Sequence, residues 1–433
     1  MGLFNISQRV QILAKASQSE LTDVFAHIDS VAESCTAKVM SAFQEFRVSE
    51  ACFAGTTGYG YDDLGRETLD KIYAQVFGAE KALVRIGFVN GTHAIATALF
   101  AVAKPGDTLL SVTGAPYDTL QCTIGTSGNG DGSLKFYGIN YAQVELQADG
   151  EPNFEAIKTA AADQNVGAVL IQRSRGYGNR RAFGIDDIEK IIAAIRSVNT
   201  RANILVDNCY GEFTETLEPT DVGADLIAGS LIKNPGGGLA PTGGYIAGRA
   251  DLVERAAIRL TTPGIGGECG STLGNNRLMF QGFFMAPHIV AQSLKTSAFC
   301  AGMMQRLGYK TSPAPTEDRH DIIQMIEFGT PEKLCSFCAG IQHGAPVDSY
   351  VTPVPWAMPG YENEVVMAAG AFIQGSSIEL SCDGPMREPY LGYLQGGLTY
   401  ESGKLGVMLA VDEMLKEEKA ASPEKHSSLI KFK

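Results

Sequence analysis

The sequence predicts an α/β protein: a mostly parallel sheet with helices on both faces, followed by a smaller α+β region. Two patterns carry that expectation. From about residue 65 to 250, short apolar runs alternate with segments of helical period, which is how strand–helix–strand units read. Beyond about residue 320 the pattern shortens and proline-rich turns appear at Pro353-Val354-Pro355 and Pro359-Gly360. A third observation ties the fold to chemistry. Ligands of parallel sheets bind beyond the carboxyl ends of the strands, and the chemically suggestive motifs of this chain fall just past its apolar runs.

In chain order, residues 5–50 are helical by the spacing of Val10, Leu13, Leu21, Phe25 and Ile28. A glycine- and tyrosine-rich stretch follows, with Tyr59 and Tyr61 inside it. The runs 109–112, 168–171, 204–206 and 226–228 read as buried strands. Helices are expected at 94–103, 154–162 and 185–198, a long one at 285–310, and a last one at 405–416. The expected divisions are an N-terminal helical segment (1–50), a large domain (51–290) and a small domain (291–433), with a frayed polar end at 420–433.

Composition narrows the class. The 433 residues are 45% apolar and 19% charged, which is globular. The net charge of −13 argues against nucleic-acid and anionic-membrane partners, because phosphate neutralisation needs a basic face. Nine scattered cysteines and no leader-like start at residues 1–11 read as a reduced, cytoplasmic chain. Met1-Gly2 lacks the Ser or Thr that myristoylation needs, because Ile6 stands there. No apolar run reaches membrane-spanning length.

Four motifs suggest one cofactor, pyridoxal 5′-phosphate (PLP). That cofactor needs an amine, an acid for its ring nitrogen, an anion cup and an aromatic face. Lys233 lies between the run ending at Ala228 and the glycines Gly236 to Gly238, with Ser230 three residues earlier. Asp207 directly follows Ile204-Leu205-Val206. Asn90-Gly91-Thr92-His93 opens a helix, whose free amides and dipole attract an anion. His93 is either a first-turn residue or a ring that stacks on the cofactor. Tyr117, just past the run 109–112, is placed to stack or to move a proton. Each has an ordinary structural reading: a turn Asp, a surface Lys, a plain helix cap, a packed Tyr. Their order along one sheet is what points to a site.

An amino-acid substrate also brings a carboxylate, which a guanidinium fork matches. Arg173, Arg175 and Arg387 are the candidates. Cys335-Ser336-Phe337-Cys338 with His343 imitates part of a zinc site but lacks a second pair, so no metal is expected. There is no G-x-S-x-G elbow and no phosphate-binding Walker loop.

With those residues in hand, the chain resembles the PLP-dependent aluminium resistance, or methionine gamma-lyase-like, proteins. These are similar to the cystathionine beta-lyase and gamma-synthase group of the aspartate-aminotransferase fold (fold type I). The likeness covers nearly the whole chain. It is carried by Gly91-Thr-His-Ala-Ile95, Pro116-Tyr-Asp-Thr-Leu120, Gln172-Arg-Ser-Arg-Gly-Tyr177, Val206-Asp-Asn-Cys-Tyr-Gly-Glu-Phe213, Ala228 through Gly238, and Gln395-Gly-Gly-Leu-Thr-Tyr400.

The resemblance implies that Lys233 forms the Schiff base and Asp207 pairs with the ring nitrogen. Gly91, Thr92 and Ser230 would hold the phosphate and Tyr117 would stack. It also implies a homodimer or homotetramer with shared active sites, in which Tyr59 or Tyr61 reaches the neighbour's phosphate. Asn90 and Ile232 depart from the better-known lyases, which carry hydroxyl residues near those points. The implied activity is carbon–sulfur elimination, β or γ, on a sulfur-containing amino acid. The alternatives are a transaminase, a γ-replacement synthase, or a non-catalytic metal-tolerance protein on the same fold.

Overall fold

A computed structural model describes residues 3–358 and 362–421. The chain opens with α1 (Gln8–Ser19) and α2 (Thr22–Glu45), and α3 (Leu64–Val76) leads into β1 (Lys81–Arg85). The alternation then runs α4 (Gly91–Val102), β2 (Thr108–Ser111), α5 (Asp118–Ile124), β3 (Asn140–Gln143), α6 (Phe154–Ala161) and β4 (Val166–Gln172). It continues with α7 (Ile185–Arg196), β5 (Asn203–Asp207), β6 (Leu226–Ser230), β7 (Gly244–Gly248) and α8 (Ala250–Leu260). A 31-residue helix, α9 (Asn276–Arg306), follows. Then come β8 (Lys310–Ser312), β9 (Gln324–Glu327), α10 (Pro331–His343), β10 (Val365–Ala368), β11 (Ser381–Pro385), β12 (Leu391–Gln395) and α11 (Tyr400–Ala421).

The first seven strands form one sheet in the order β1-β7-β6-β5-β4-β2-β3. Only β7 runs against its neighbours, pairing antiparallel with both β1 and β6. The central strands are buried on both faces because helices cover both, which is why they read as unbroken apolar runs. Successive residues of β5 face opposite cores. Ile204 and Val206 join Val169, Ile171 and Ile191 on one side, and Leu205 joins Leu170, Ile95 and Leu99 on the other. Each such side chain contributes roughly 1.5–3 kcal/mol by leaving water.

The register places the site. Gln172 pairs with Asp207, and Asp207 with Ala228, so β4, β5 and β6 end side by side. The five remaining strands form a separate antiparallel sheet in the order β10-β11-β12-β9-β8. Its core gathers Leu334, Phe337, Ile341, Val407 and Val411 with Val10 and Ala14 of α1. Helix α9 serves both cores, giving Phe280 and Phe283 to the first and Phe299 and Met303 to the second.

The fold is the expected one, and the four anticipated strands appear as β2, β4, β5 and β6. Boundaries differ for local reasons. The expected helix at 5–50 is two helices with a break at Glu20 and Leu21, and it stops at Glu45. The long helix starts at Asn276, nine residues before the expected 285, and ends at Arg306 ahead of Gly308, whose φ is +88°. The last helix starts at Tyr400 and runs beyond 416. Strand β7 escapes the apolar-run pattern because glycines bracket it, and β3 escapes because it is a polar, partly exposed edge. Residues 1–2, the turn at Pro359-Gly360 and the end from 422 to 433 lie outside the described residues. Among the described residues, no helix is long and apolar enough to cross a membrane.

Candidate active site

A cavity of about 710 Å³ opens beyond the carboxyl ends of β4, β5 and β6, with β11 and β12 of the second sheet on its other side. Gly91, Thr92, Tyr117, Arg175, Asp207, Ser230, Lys233 and Arg387 all line it.

The anion corner is built where α4 meets β6. Asn90 caps the helix, its side-chain oxygen accepting from the His93 amide at 2.9 Å. The amides of Gly91 and Thr92 belong to the first turn, where no intrahelical acceptor exists. A Cβ on Gly91 would stand 2.9 Å from the Cβ of Ser230 and 3.7 Å from the Cys209 sulfur, so only glycine lets the helix start sit this close. The hydroxyl of Ser230 is buried without a partner. Left so, it costs about 1–3 kcal/mol, a deficit that an anion in this corner removes.

Lys233 follows β6, and the loop after it turns through Gly237 at φ +55°. Its Nζ lies 3.7 Å from the centre of the Tyr210 ring. Burial works against the ammonium, but Cys209, Tyr210 and Asp207 outweigh it and hold the amine above its ordinary range. Asp207 is the last residue of β5, and its Oδ1 accepts from the Cys209 amide at 3.1 Å. Burial pushes its carboxyl up, while Lys233 and that amide pull the other way. Tyr117 precedes α5, with its amide donating to Gln172 Oε1 at 3.2 Å and its phenol hydrogen-bonded to Thr92. Burial first, then Asp207 and Cys209, hold the phenol protonated well beyond its usual range.

The arginines separate. Arg175 is 2% exposed and lines the cavity. Its Nη2 donates to Ser312 at 3.1 Å, but its Nε and Nη1 have no partner. Arg387 also lines the cavity, and its Nη1 donates to Asn363 Oδ1 at 3.5 Å. Arg173 does not reach the cavity. It is fully buried, with Nη2 2.7 Å from Glu215 and Nη1 3.6 Å from Glu218, and it also donates to Asn208 at 2.8 Å. Its fork is already satisfied, so a substrate carboxylate is not its partner.

His93 is a second correction. Its Nδ1 accepts from the Val89 amide at 3.2 Å and its ring meets the edge of Phe88, so it is a first-turn residue and stacks on nothing in the cavity. Tyr59 and Tyr61 do not line this chain's cavity either. They stack on each other, 5.5 Å between centroids, and stand 70% and 56% exposed.

Sequence reasoning missed Tyr210 and Asp383, both of which line the cavity. Tyr210 was within reach, because it lies three residues past Asp207 and its left-handed φ of +73° turns the chain beneath Lys233. Asp383 had no signal, because Ser381–Pro385, which forms strand β11, has no apolar run to mark it. Among the described residues, no group of three or more His, Cys, Asp or Glu side chains could hold a metal ion.

The family pattern of methionine gamma-lyase matches residues 10–415. The chain belongs to the methionine gamma-lyase family. Within it, the chain is similar to a solved Clostridium novyi NT protein described as a carbon–sulfur lyase involved in aluminum resistance. The two are 52% identical with a TM-score of 0.91, over 94% of this chain and 96% of that one. An uncharacterised Bacillus subtilis protein, YnbB, is 47% identical over 420 residues, covering 96% of this chain and all of its own. A more distant solved structure, the pyridoxal-5′-phosphate dependent protein YhfS of Escherichia coli, shares the fold at 18% identity. Its TM-score is 0.60, over 91% of this chain and 97% of that one.

Proposed function

We propose that this methionine gamma-lyase family member is a PLP-dependent carbon–sulfur lyase acting on a sulfur-containing amino acid. The observation that carries the reading is the convergence of Lys233, Asp207 and the unpartnered hydroxyl of Ser230 on one cavity. The donor set suits the cofactor. Lys233 would hold it covalently, Asp207 would face its ring nitrogen, and Gly91, Thr92 and Ser230 would take its phosphate. Tyr117 would lie against the ring. When bound, the cofactor supplies an electron sink for charge that develops at the substrate's α-carbon.

The remaining work falls to the chain. Arg175 offers two unpartnered nitrogens, Nε and Nη1, to the substrate carboxylate. Lys233 Nζ, once free, is the base that takes the α-proton. Tyr117 Oη stays protonated under the influence of burial, Asp207 and Cys209, and so can donate to the departing sulfur. Thiol, ammonia and a 2-oxo acid are the products. The active unit is a homo-oligomer in which Tyr59 or Tyr61 serves the neighbouring cavity, a reading their exposure favours.

The test is spectral and chemical together. Purified chain supplied with PLP should turn yellow, and Lys233→Ala should abolish the visible band. Cystathionine, cysteine, homocysteine and methionine, scored for pyruvate against 2-oxobutyrate, should show thiol release from at least one. A wild-type protein that stays colourless with added cofactor overturns the proposal.

A further inference from the structure

Tyr210 stands three residues past the end of β5 with φ +73°, in the left-handed region that favours glycine. A ring-bearing residue adopts that conformation at a cost, so the surroundings must hold it there. The holder is Asn234, the residue after Lys233. It is fully buried, and its Nδ2 donates to Tyr210 O and to Glu212 O, each at 2.9 Å. The turn and the lysine are therefore fixed to one another. The result is a ring face under the amine, with Lys233 Nζ 3.7 Å from the ring centre. The Tyr210 hydroxyl meets Ser377 Oγ at 3.3 Å, which anchors the outer edge of the ring across the cavity. The other titratable groups that bear on the amine are Asp207, Cys209 and Glu212 on this strand and turn, Tyr117 before α5, and Asp383 on β11.

A ring face attracts an ammonium through its quadrupole and has no such hold on a neutral amine. We propose that the Tyr210 ring is a catalytic group that stabilises the ammonium formed as Lys233 Nζ takes the α-proton. This rests on the lyase reading, in which the freed lysine is the base. In that step the α C–H bond breaks, the proton joins the Nζ lone pair, and the electron pair stays with the α-carbon. The amine is neutral before the transfer and cationic after it. The attraction therefore grows as the proton arrives, and an interaction stronger in the transition state than in the ground state raises the rate. The same attraction opposes the first loading of the cofactor, because an ammonium has no lone pair to give to an aldehyde. Removing the ring should move the two rates in opposite directions, whereas loss of a mere support for the fold would lower both.

Tyr210→Leu removes the ring, and Tyr210→Phe keeps it without the hydroxyl. The first rate is cofactor capture, read as growth of the visible band when PLP is added to the cofactor-free full chain. Below the pKa of the amine this rate follows the neutral fraction. The Leu variant, with its ammonium less favoured, should capture PLP about tenfold faster at about pH 7.5. The second rate is exchange of the substrate α-proton in heavy water by the cofactor-loaded chain, followed by proton NMR on L-alanine, L-cysteine and L-methionine. It needs no carbon–sulfur cleavage. The Leu variant should slow it about thirtyfold, the scale of a desolvated contact between a cation and a ring. Tyr210→Phe should rescue both rates to within about threefold of wild type. If the Leu variant does not fold, Tyr210→Gly decides, because glycine takes φ +73° without strain and also lacks the ring. A ring-free variant that slows both rates, or that exchanges protons as fast as wild type, overturns the proposal. So does a Phe variant as impaired as Leu, or a wild-type chain that exchanges none of the three amino acids. Ring-dependent exchange without thiol release from any sulfur amino acid defeats the lyase reading alone. Thiol release with ring-independent exchange defeats this inference and leaves the lyase reading standing.

Discussion

At the scale of single residues, two arginines two positions apart do different work. Arg173 carries the charge that buried Glu218 needs, pairs with the partly exposed Glu215, and braces Asn208 next to Asp207. Removing it leaves the buried Glu218 carboxylate without its cation, so Arg173→Ala should cost about 3–5 kcal/mol of stability, read as a lower denaturant midpoint. The KM of the protein that remains folded should stay close to wild type. Arg175 has the opposite profile, because it lines the cavity and its Nε and Nη1 have no partners. Arg175→Ala should raise KM about tenfold or more, since a charge-assisted hydrogen bond contributes roughly 1.5–3 kcal/mol, with little change in the unfolding midpoint. Equal KM effects from the two variants would contradict the assignment. Spacing alone could not separate these residues. Both sit in Gln172-Arg173-Ser174-Arg175, and the partners that distinguish them come from residues 215, 218 and 312, far along the chain.

At the scale of elements, the strands that position the site were legible because burial on both faces leaves an apolar run with nothing polar to hide it. Asp207 and Ser230 could be placed at strand ends for the same reason. The second sheet was not legible strand by strand. Its members are short, and one of them is Ser381-Cys382-Asp383-Gly384-Pro385, which has neither an apolar run nor a clear alternation. That is why Asp383 was invisible while Asp207 stood out. The tightest junction between elements is α4 against β6. A methyl group on Gly91 would press on Ser230 Cβ at 2.9 Å, an atom that cannot swing aside. Gly91→Ala should therefore cost about 1–3 kcal/mol through overpacking. It should also loosen the anion corner, so that dialysis strips cofactor from the variant about tenfold faster than from wild type. Unchanged cofactor retention would show that the helix start does not form the phosphate cup.

At the scale of the whole molecule, the proposed sharing of Tyr59 or Tyr61 between chains would make the cavity of one chain an incomplete account of the site. Tyr59 and Tyr61 precede α3, stack on one another, and present apolar ring area to solvent. Large exposed aromatics are a mark of surfaces that meet a partner, and in a two-fold dimer each chain would lend its tyrosines to the other. Two inactive variants then make an informative mixture. Lys233→Ala removes the amine of a chain's own cavity, and Tyr59→Ala/Tyr61→Ala removes what the chain lends. Neither homodimer has an intact site. A hybrid has one, because its Lys233-containing cavity is served by the chain that retains both tyrosines. After unfolding and refolding in equal proportion, half the dimers are hybrids with one whole site of two, so activity should recover to about a quarter of wild type. If the tyrosines instead serve their own chain, every hybrid carries one cavity without the lysine and one without the tyrosines. Activity then stays at the level of the separate variants, and the shared site is refuted.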